Sequence, residues 1–129
     1  MKTFTLFAAA VLAGSVSAHA QEMERPVRFA FLTDTHLSAG SHSIADLRLC
    51  IRDINAQDSL DFVVMGGDLT DFGTDEEIAL GKQMLDSLRY KYWVVAGNHD
   101  AKWSESGCNT FRKVFGYEHF EFEAGGWRF

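Results

Sequence analysis

Three short hydrophobic runs divide this chain into alternating predicted elements. The runs are rich in Val, Phe, Trp and Tyr, and they comprise Val27–Leu32, Phe62–Met65 and Tyr92–Ala96. Continuous apolar runs of this length and composition are typical of strands that are buried on both faces. We therefore predict three buried strands.

The stretches between the runs carry apolar residues at helical spacing. The first helix is predicted to begin near Ser43, and the second begins with the capping-box pattern of Thr74 and Glu77. A third, short helix is predicted over Asn109–Phe115. Cys50 lies beside the apolar stripe of the first helix, and we predict that it is buried. The stripes comprise Ile44, Leu47, Ile51 and Ile54, then Ile78, Met84, Leu85 and Leu88, and finally Phe111, Val114 and Phe115.

The order of these elements predicts an α/β fold with a β-α-β-α-β core. A strand, a crossover helix and a parallel strand need roughly 30 residues, which matches the spacing of the predicted strands. Right-handed crossovers make the strands parallel, so that their carboxyl ends meet at one edge of the sheet. Open α/β sheets bind their ligands at that edge.

A polar segment follows each predicted strand. The segments are Asp34-Thr35-His36, Gly67-Asp68-Leu69-Thr70-Asp71 and Gly97-Asn98-His99-Asp100. Carboxylate, imidazole and amide donors suit Mn, Fe, Zn or Mg. Two such cations about 3.5–4 Å apart can share one carboxylate, lower the pKa of a bridging water toward about 7 and bind phosphate oxygens. The segments together predict a two-metal hydrolytic site in which Asp68 bridges the cations.

Each segment taken alone also has a structural interpretation. Asp34 and Asp68 can cap the turns after their strands, and Gly97 can serve a tight bend. The occurrence of all three segments on one predicted edge favours the metal site.

In order and spacing, the motifs D-x-H, G-D-x-x-D and G-N-H-D resemble those of the calcineurin-like metallophosphoesterases, over about Val27 to Phe129. The resemblance implies an αββα sandwich, of which this chain would supply the β-α-β-α-β half and be incomplete at the C-terminus. The motifs are most similar to those of the class III cyclic-nucleotide phosphodiesterases. A purple acid phosphatase site is disfavoured, because those enzymes place a metal-binding tyrosine where this chain has Asp71.

The resemblance also implies a ligand set for two divalent metal ions. Asp34, His36 and Asp68 would bind the first ion, and Asp68 and Asn98 would begin the coordination of the second. The family completes the second site with later histidine motifs that are absent from this sequence. His119 opens an alternating segment, and we interpret it as a surface or edge residue of a half-buried strand, the alternative being a further metal ligand.

His99 would not bind metal by the same resemblance. It would lie over the phosphate and stabilise its charge or protonate the leaving oxygen, and Asp100 would orient its ring. Asp71 has two interpretations: it orients a metal ligand from outside the coordination sphere, or it caps the turn at Phe72 and Gly73.

The first residues of the chain predict cleavage of a signal peptide, and the last residues predict that the domain continues beyond them. Lys2 precedes the apolar run Phe4–Val16, and small residues follow up to Ala20. This is the pattern of a secretory signal peptide, and about 13 apolar residues are too few for a membrane span, which needs roughly 20. We expect residues 1–20 to be cleaved and residues 21–129 to be exported, to the periplasm or outside the cell.

Residues 124–129 indicate a hairpin and the start of a further strand, so we expect a C-terminal half to be missing.

Charge restricts the partners. Residues 1–20 contain one lysine and no acidic residue, so residues 21–129 carry 11 basic and 18 acidic side chains, a formal charge of −7. This charge disfavours a nucleic-acid scaffold, and it would repel a phosphate until bound cations reverse the local field. The expected partner is a small phosphoester substrate.

Two functional hypotheses follow. The first is a metal-dependent phosphoesterase that hydrolyses phosphomono- or diesters with a metal-activated water, of which this chain is a fragment that is not expected to be competent alone. The second is a non-catalytic metal- or phosphate-binding module that acts through a partner chain.

Overall fold

The computed structural model describes residues 25–117 and 119–129, so the predicted signal peptide, residues 1–20, lies outside the described residues. Among the residues described, no helix has both the length and the apolar character needed to cross a bilayer. In chain order the elements are β1 (Phe29–Leu32), α1 (Ser43–Asn55), β2 (Phe62–Met65), α2 (Asp75–Leu85), β3 (Tyr92–Val94), α3 (Asn98–Ala101), α4 (Asn109–Phe115), β4 (Glu123–Ala124) and β5 (Trp127–Arg128).

A parallel three-stranded sheet in the order β1-β2-β3 forms the centre of the fold. Phe29 pairs with Phe62 in the first strand pair, and Val63 pairs with Tyr92 in the second. Helices alternate with the strands, so the predicted α/β fold is confirmed. The two polar segments after β1 and β2 continue side by side beyond the strands, because Leu37 and Thr70 form a further parallel bridge.

Helices α1, α2 and α4 cover one face of the sheet. The capping box predicted for α2 is present, with Thr74 accepting from the backbone of Glu77 and Glu77 accepting from the backbone of Thr74. Helix α1 begins at Ser43, as predicted, but its N-cap residue is His42 and makes no side-chain cap. The buried core between helices and sheet includes Leu47, Ile51, Val63, Met65, Ile78, Leu85, Val94 and Phe111.

The other face of the sheet carries a layer of aromatic rings. The antiparallel hairpin of β4 and β5 turns at Gly125 and Gly126, which adopt the positive φ angles of 58° and 81° that this tight turn requires. The hairpin brings Phe122 and Phe129 onto the sheet, where Phe122 stacks on Trp93 with ring centroids 3.5 Å apart.

Strand β1 is one of the two edge strands of the sheet, and the face of β1 opposite the helices is only partly covered. Phe29 is 45% exposed and Phe31 is 60% exposed. The prediction that all three strands are buried on both faces is therefore wrong for β1. The prediction for Cys50 is also wrong: it lies beside the buried stripe of α1 but on the solvent side, and its thiol is exposed.

Candidate metal centre

Three of the predicted metal ligands lie in strained backbone. Asp34, His36 and Asp68 have φ angles of 55°, 43° and 48°, and among the described residues only one other non-glycine residue, Cys108, has a positive φ. The left-handed conformation costs about 1–2 kcal/mol for a residue with a Cβ atom. Such strain persists only where the surrounding structure enforces it, and it clusters at functional sites.

Backbone hydrogen bonds between the first two polar segments enforce this conformation. The Asp34 amide donates to the Gly67 carbonyl over 3.0 Å, and the His36 amide donates to the Asp68 carbonyl over 3.1 Å. The sheet pairing thus extends into the turns, and the side chains of the two segments are presented at the same edge.

The side chains of His36, Asp68 and His99 converge at this edge. Each offers one ligand atom, and the three atoms lie within 4.8 Å of one another. Asp34 is adjacent, with Oδ1 3.9 Å from Nε2 of His36. Imidazole nitrogen and carboxylate oxygen are suitable donors for Mn, Fe or Zn, so the residues present fit a divalent cation.

Asn98 comes to the same edge through a close contact between the second and third segments. The His99 amide donates to Oδ1 of Asp68 over 3.0 Å. A Cβ atom at Gly97 would lie 2.0 Å from the same oxygen, so only glycine permits this approach. Asn98 follows as the exposed first residue of α3.

The ring of His99 is held by three contacts. Nδ1 of His99 donates to the carbonyl of Asp71 over 2.6 Å. The ring of His36 meets the His99 ring edge-on, with ring centroids 4.5 Å apart, and the indole of Trp103 packs against the His99 ring with centroids 4.3 Å apart. Because a carbonyl can only accept, Nδ1 carries the proton and Nε2 is the nitrogen that can exchange a proton or bind a ligand.

Asp71 faces both histidine rings. Its Oδ1 lies 3.5 Å from Nδ1 of His36 and 3.9 Å from Nδ1 of His99. Of the two interpretations of Asp71, this geometry favours the one in which it orients imidazole rings.

Asp100 has a different position from the one the resemblance implies. Its carboxylate is fully buried and accepts four hydrogen bonds, from the amides of Leu69, Thr70 and Gly97 and from the hydroxyl of Thr70, at 2.7–3.1 Å. Successive helical residues point about 100° apart, so Asp100 points inward while His99 points to the site. Asp100 therefore joins the two loops, and Asp71, not Asp100, holds the ring of His99.

His119 and Trp103 are the remaining residues to compare with the predictions from the sequence. His119 is exposed and is not part of the cluster of His36, Asp68 and His99. Trp103 was not predicted at the site. It lies just beyond the one-turn helix α3, which the sequence pattern did not predict, so no periodicity placed it beside His99.

Comparisons with known proteins show which family the sequence matches. The family model of the calcineurin-like phosphoesterases matches residues 27–128. The chain is 32% identical over 81 residues to the glycerophosphodiester phosphodiesterase GpdQ of Enterobacter lignolyticus, covering 57% of this chain and 29% of that protein. It is 37% identical over 73 residues to a probable glycerophosphodiester phosphodiesterase GpdQ of Arcobacter nitrofigilis, covering 56% of this chain and 25% of that protein.

The chain thus spans less than a third of the length of these curated relatives. The parallel sheet alternating with helices is consistent with the N-terminal half of a metallophosphoesterase fold. The match of the family model extends over most of the sequence, and its residues include all three polar segments. The chain belongs to the calcineurin-like phosphoesterase family.

Proposed function

We propose that this chain carries the metal-binding half of a phosphodiesterase site. The observation that carries the proposal is the convergence of His36, Asp68 and His99 at the carboxyl edge of the sheet, with His36 and Asp68 on backbone held in a strained conformation. The names of the two relatives favour a phosphodiester over a phosphomonoester as the substrate.

Asp34, His36, Asp68 and Asn98 would hold two divalent cations. Bound there, the cations would supply a water of lowered pKa and positive charge for the phosphate oxygens. The positive charge matters for this chain in particular, since residues 21–129 carry a formal charge of −7.

His99 would act on the leaving group. With Nδ1 held by the Asp71 carbonyl, Nε2 is the nitrogen that would carry a proton to the leaving oxygen as the ester bond breaks. Asp71 keeps the ring in this orientation, and Trp103 limits its rotation. Asp100 contributes by fixing the loops that present Asp68 and His99.

We also propose that the chain acts after export. The support is the order of residue types in residues 1–20, in which a lysine is followed by an apolar run and then by small residues. Residues 21–129 would then be the mature part of the chain, and the family match over residues 27–128 lies within it.

The test separates metal binding from turnover. We expect calorimetry to detect Mn²⁺ binding by the purified chain, and Asp68→Asn to abolish it. Hydrolysis of bis(p-nitrophenyl) phosphate would be assayed with Mn²⁺ present. Because the chain is not expected to be competent alone, hydrolysis should be slow at best, and whatever rate the wild type shows should fall by about 10²–10⁴-fold in His99→Asn without weaker Mn²⁺ binding, as removal of a general acid does.

His119→Asn is the matched control, because His119 is exposed and outside the cluster. A loss of Mn²⁺ affinity in His99→Asn would instead make His99 a metal ligand. Binding of one Mn²⁺ without hydrolysis would favour the non-catalytic module, and absence of both would contradict the proposal.

A further inference from the structure

Glu77 is a buried carboxylate that reaches from helix α2 into the turn after the second polar segment. It is only 8% exposed, and its Oε2 accepts from the amide of Thr74 over 3.4 Å and from the amide of Phe72 over 2.9 Å. The bond from Thr74 belongs to the capping box of α2. The bond from Phe72 is not part of that box, which needs only the amide of the N-cap residue. Glu77 therefore holds a group that the start of the helix does not require.

The amide of Phe72 and the carbonyl of Asp71 belong to one peptide group. The carbonyl accepts from Nδ1 of His99 over 2.6 Å, while the N–H of the same group donates to Glu77. Because a peptide group is planar and trans, its C=O and N–H point in opposite directions. The carboxylate that holds the N–H thus also sets the direction in which the carbonyl points, toward His99.

The rest of this turn is built closely against His99. The amide of Asp71 donates to the carbonyl of Leu37 over 3.0 Å. Gly73, with a φ of 66°, packs so closely on helix α3 that a Cβ atom there would lie 2.5 Å from the carbonyl oxygen of His99. The turn therefore contacts both the backbone and the ring of His99, and Glu77 is the side chain of α2 that anchors it.

The hydrogen bond at Nδ1 decides which ring nitrogen of His99 carries the proton. In a neutral imidazole one nitrogen donates and the other accepts, and the partner of the first fixes the state of the second. A carbonyl that points at Nδ1 keeps the proton there. If the carbonyl turned away, the proton would be free to move to Nε2.

We infer that Glu77 is a positioning residue for His99 and acts through the peptide group between Asp71 and Phe72. Removal of the carboxylate releases this peptide group, weakens the bond at Nδ1 and admits the other tautomer of the ring. The contacts alone carry this orientation of His99. The benefit of the orientation for leaving-group protonation rests on the proposed function.

The tautomer of His99 can be measured without turnover. The full chain would be labelled with ¹⁵N-histidine and kept free of metal, and long-range ¹H–¹⁵N spectra would be recorded at about pH 9, where free imidazole is neutral. These spectra show which ring nitrogen carries the proton, and His99→Asn identifies the signals of His99. We expect the wild-type ring to carry its proton on Nδ1. Glu77→Met, which keeps a side chain of similar length but has no carboxylate, should lose this preference.

Glu77→Gln is the rescue variant. Its amide oxygen can still accept from the amide of Phe72, so we expect the proton of His99 to stay on Nδ1.

Two matched controls separate this role from the start of helix α2. Thr74→Ala removes the hydroxyl that accepts from the amide of Glu77 over 3.2 Å, but it leaves the carboxylate in place. Glu76→Gln removes a neighbouring charge from the first turn, at an exposed position. Thr74→Ala should destabilise the helix, as loss of an N-cap does, and both controls should keep the wild-type tautomer.

A proton on Nε2 of His99 in the wild type, an unchanged tautomer in Glu77→Met, or an equal loss in Thr74→Ala or Glu77→Gln would overturn the inference. If Glu77→Met does not fold, Glu77→Asp takes its place, because aspartate keeps an acid in the first turn but withdraws the carboxylate from Phe72 by one methylene. An unchanged tautomer leaves the proposed function standing. A tautomer that depends on Glu77 in a chain that binds no Mn²⁺ would keep the inference and remove the proposed function.

Discussion

At the scale of single residues, Asp100 is the main structural link within the candidate site. Its carboxylate accepts amide protons from both loops that carry ligands, at Leu69 and Thr70 on one side and at Gly97 on the other. The relative positions of Asp68 and Asn98 therefore depend on one buried side chain that touches neither.

We predict that Asp100→Asn destabilises the chain and weakens metal binding together. The amide nitrogen cannot accept, so at least one buried backbone N–H loses its partner, at a cost of about 1–3 kcal/mol. Urea unfolding gives the change in the free energy of unfolding, and calorimetry gives the Mn²⁺ affinity.

Asp58→Asn is the control for this prediction, because the Asp58 side chain is 96% exposed. An Asp100→Asn protein with wild-type stability and wild-type Mn²⁺ affinity would contradict the role assigned to Asp100.

The residues of the site could be predicted from the sequence, but not all of the groups to which they are hydrogen-bonded. The three motifs supplied the residues that converge here, because parallel strands bring their carboxyl ends to one edge. The partner of His99 could not be predicted, since it depends on the direction in which neighbouring residues of a one-turn helix point. The resemblance assigned that partner to Asp100, whereas the structure has Asp71.

At the scale of elements, helix α2 ends in a small polar cluster against strand β3. Nζ of Lys82 lies 2.6 Å from Oδ2 of Asp86, and the Tyr92 hydroxyl donates to Oδ1 of Asp86 over 2.6 Å. The hydrogen bond from Lys82, followed by that from Tyr92, lowers the pKa of Asp86 below its usual value. Burial, with the contact to Asp86, raises the pKa of Tyr92 well above its usual range, so Tyr92 stays a donor at neutral pH.

We predict a pH-dependent effect of Asp86→Asn. A carboxylate whose pKa is lowered by folding stabilises the folded state above its unfolded pKa near 4, and this contribution is lost as the pH falls through the lowered value. The pair is partly exposed, so we expect a loss of only about 0.3–0.5 kcal/mol at pH 7.

Urea unfolding of wild type and Asp86→Asn at neutral and strongly acidic pH measures this difference. The two proteins should converge in stability at the acidic end. A difference that is constant or grows on acidification would show that the charge of Asp86 does not contribute.

The longer elements could be predicted because their periodicity extends over several turns. Helices α1, α2 and α4 and the three central strands follow the pattern of apolar residues. Helix α3 is a single turn, too short to show a period of 3.6 residues. A continuous apolar run also cannot reveal which face is covered, which is why the exposure of β1 was not predicted.

At the scale of the whole molecule, the two faces of the sheet differ. Three helices cover one face, whereas the aromatic layer of the hairpin covers only part of the other. Phe31 is 60% exposed on the open edge strand. Exposed apolar surface beside unpaired strand edges favours association.

We predict that the chain self-associates in a concentration-dependent way and that Phe31→Thr weakens the association constant by about tenfold, the effect of removing part of a buried aromatic contact. Threonine keeps the β propensity of the strand. Sedimentation velocity over a concentration series measures the change.

Leu49→Thr is the matched control, since Leu49 is 48% exposed on helix α1 and lies away from the sheet. A wild-type chain that stays monomeric at all concentrations would refute the prediction.

The left-handed backbone at Asp34, His36 and Asp68 predicts how these positions would change during evolution. Under the proposed function, selection for metal binding would keep a side chain at each of these positions against a conformational preference for glycine. In a duplicated gene that is released from that selection, glycine would accumulate at the three positions and make the protein more stable as the activity disappears. Gly97 and Asp100 would persist, because the loops still have to fold. A lineage that has lost its catalysis should therefore be recognisable by glycines that replace the ligands and not by decay of the fold.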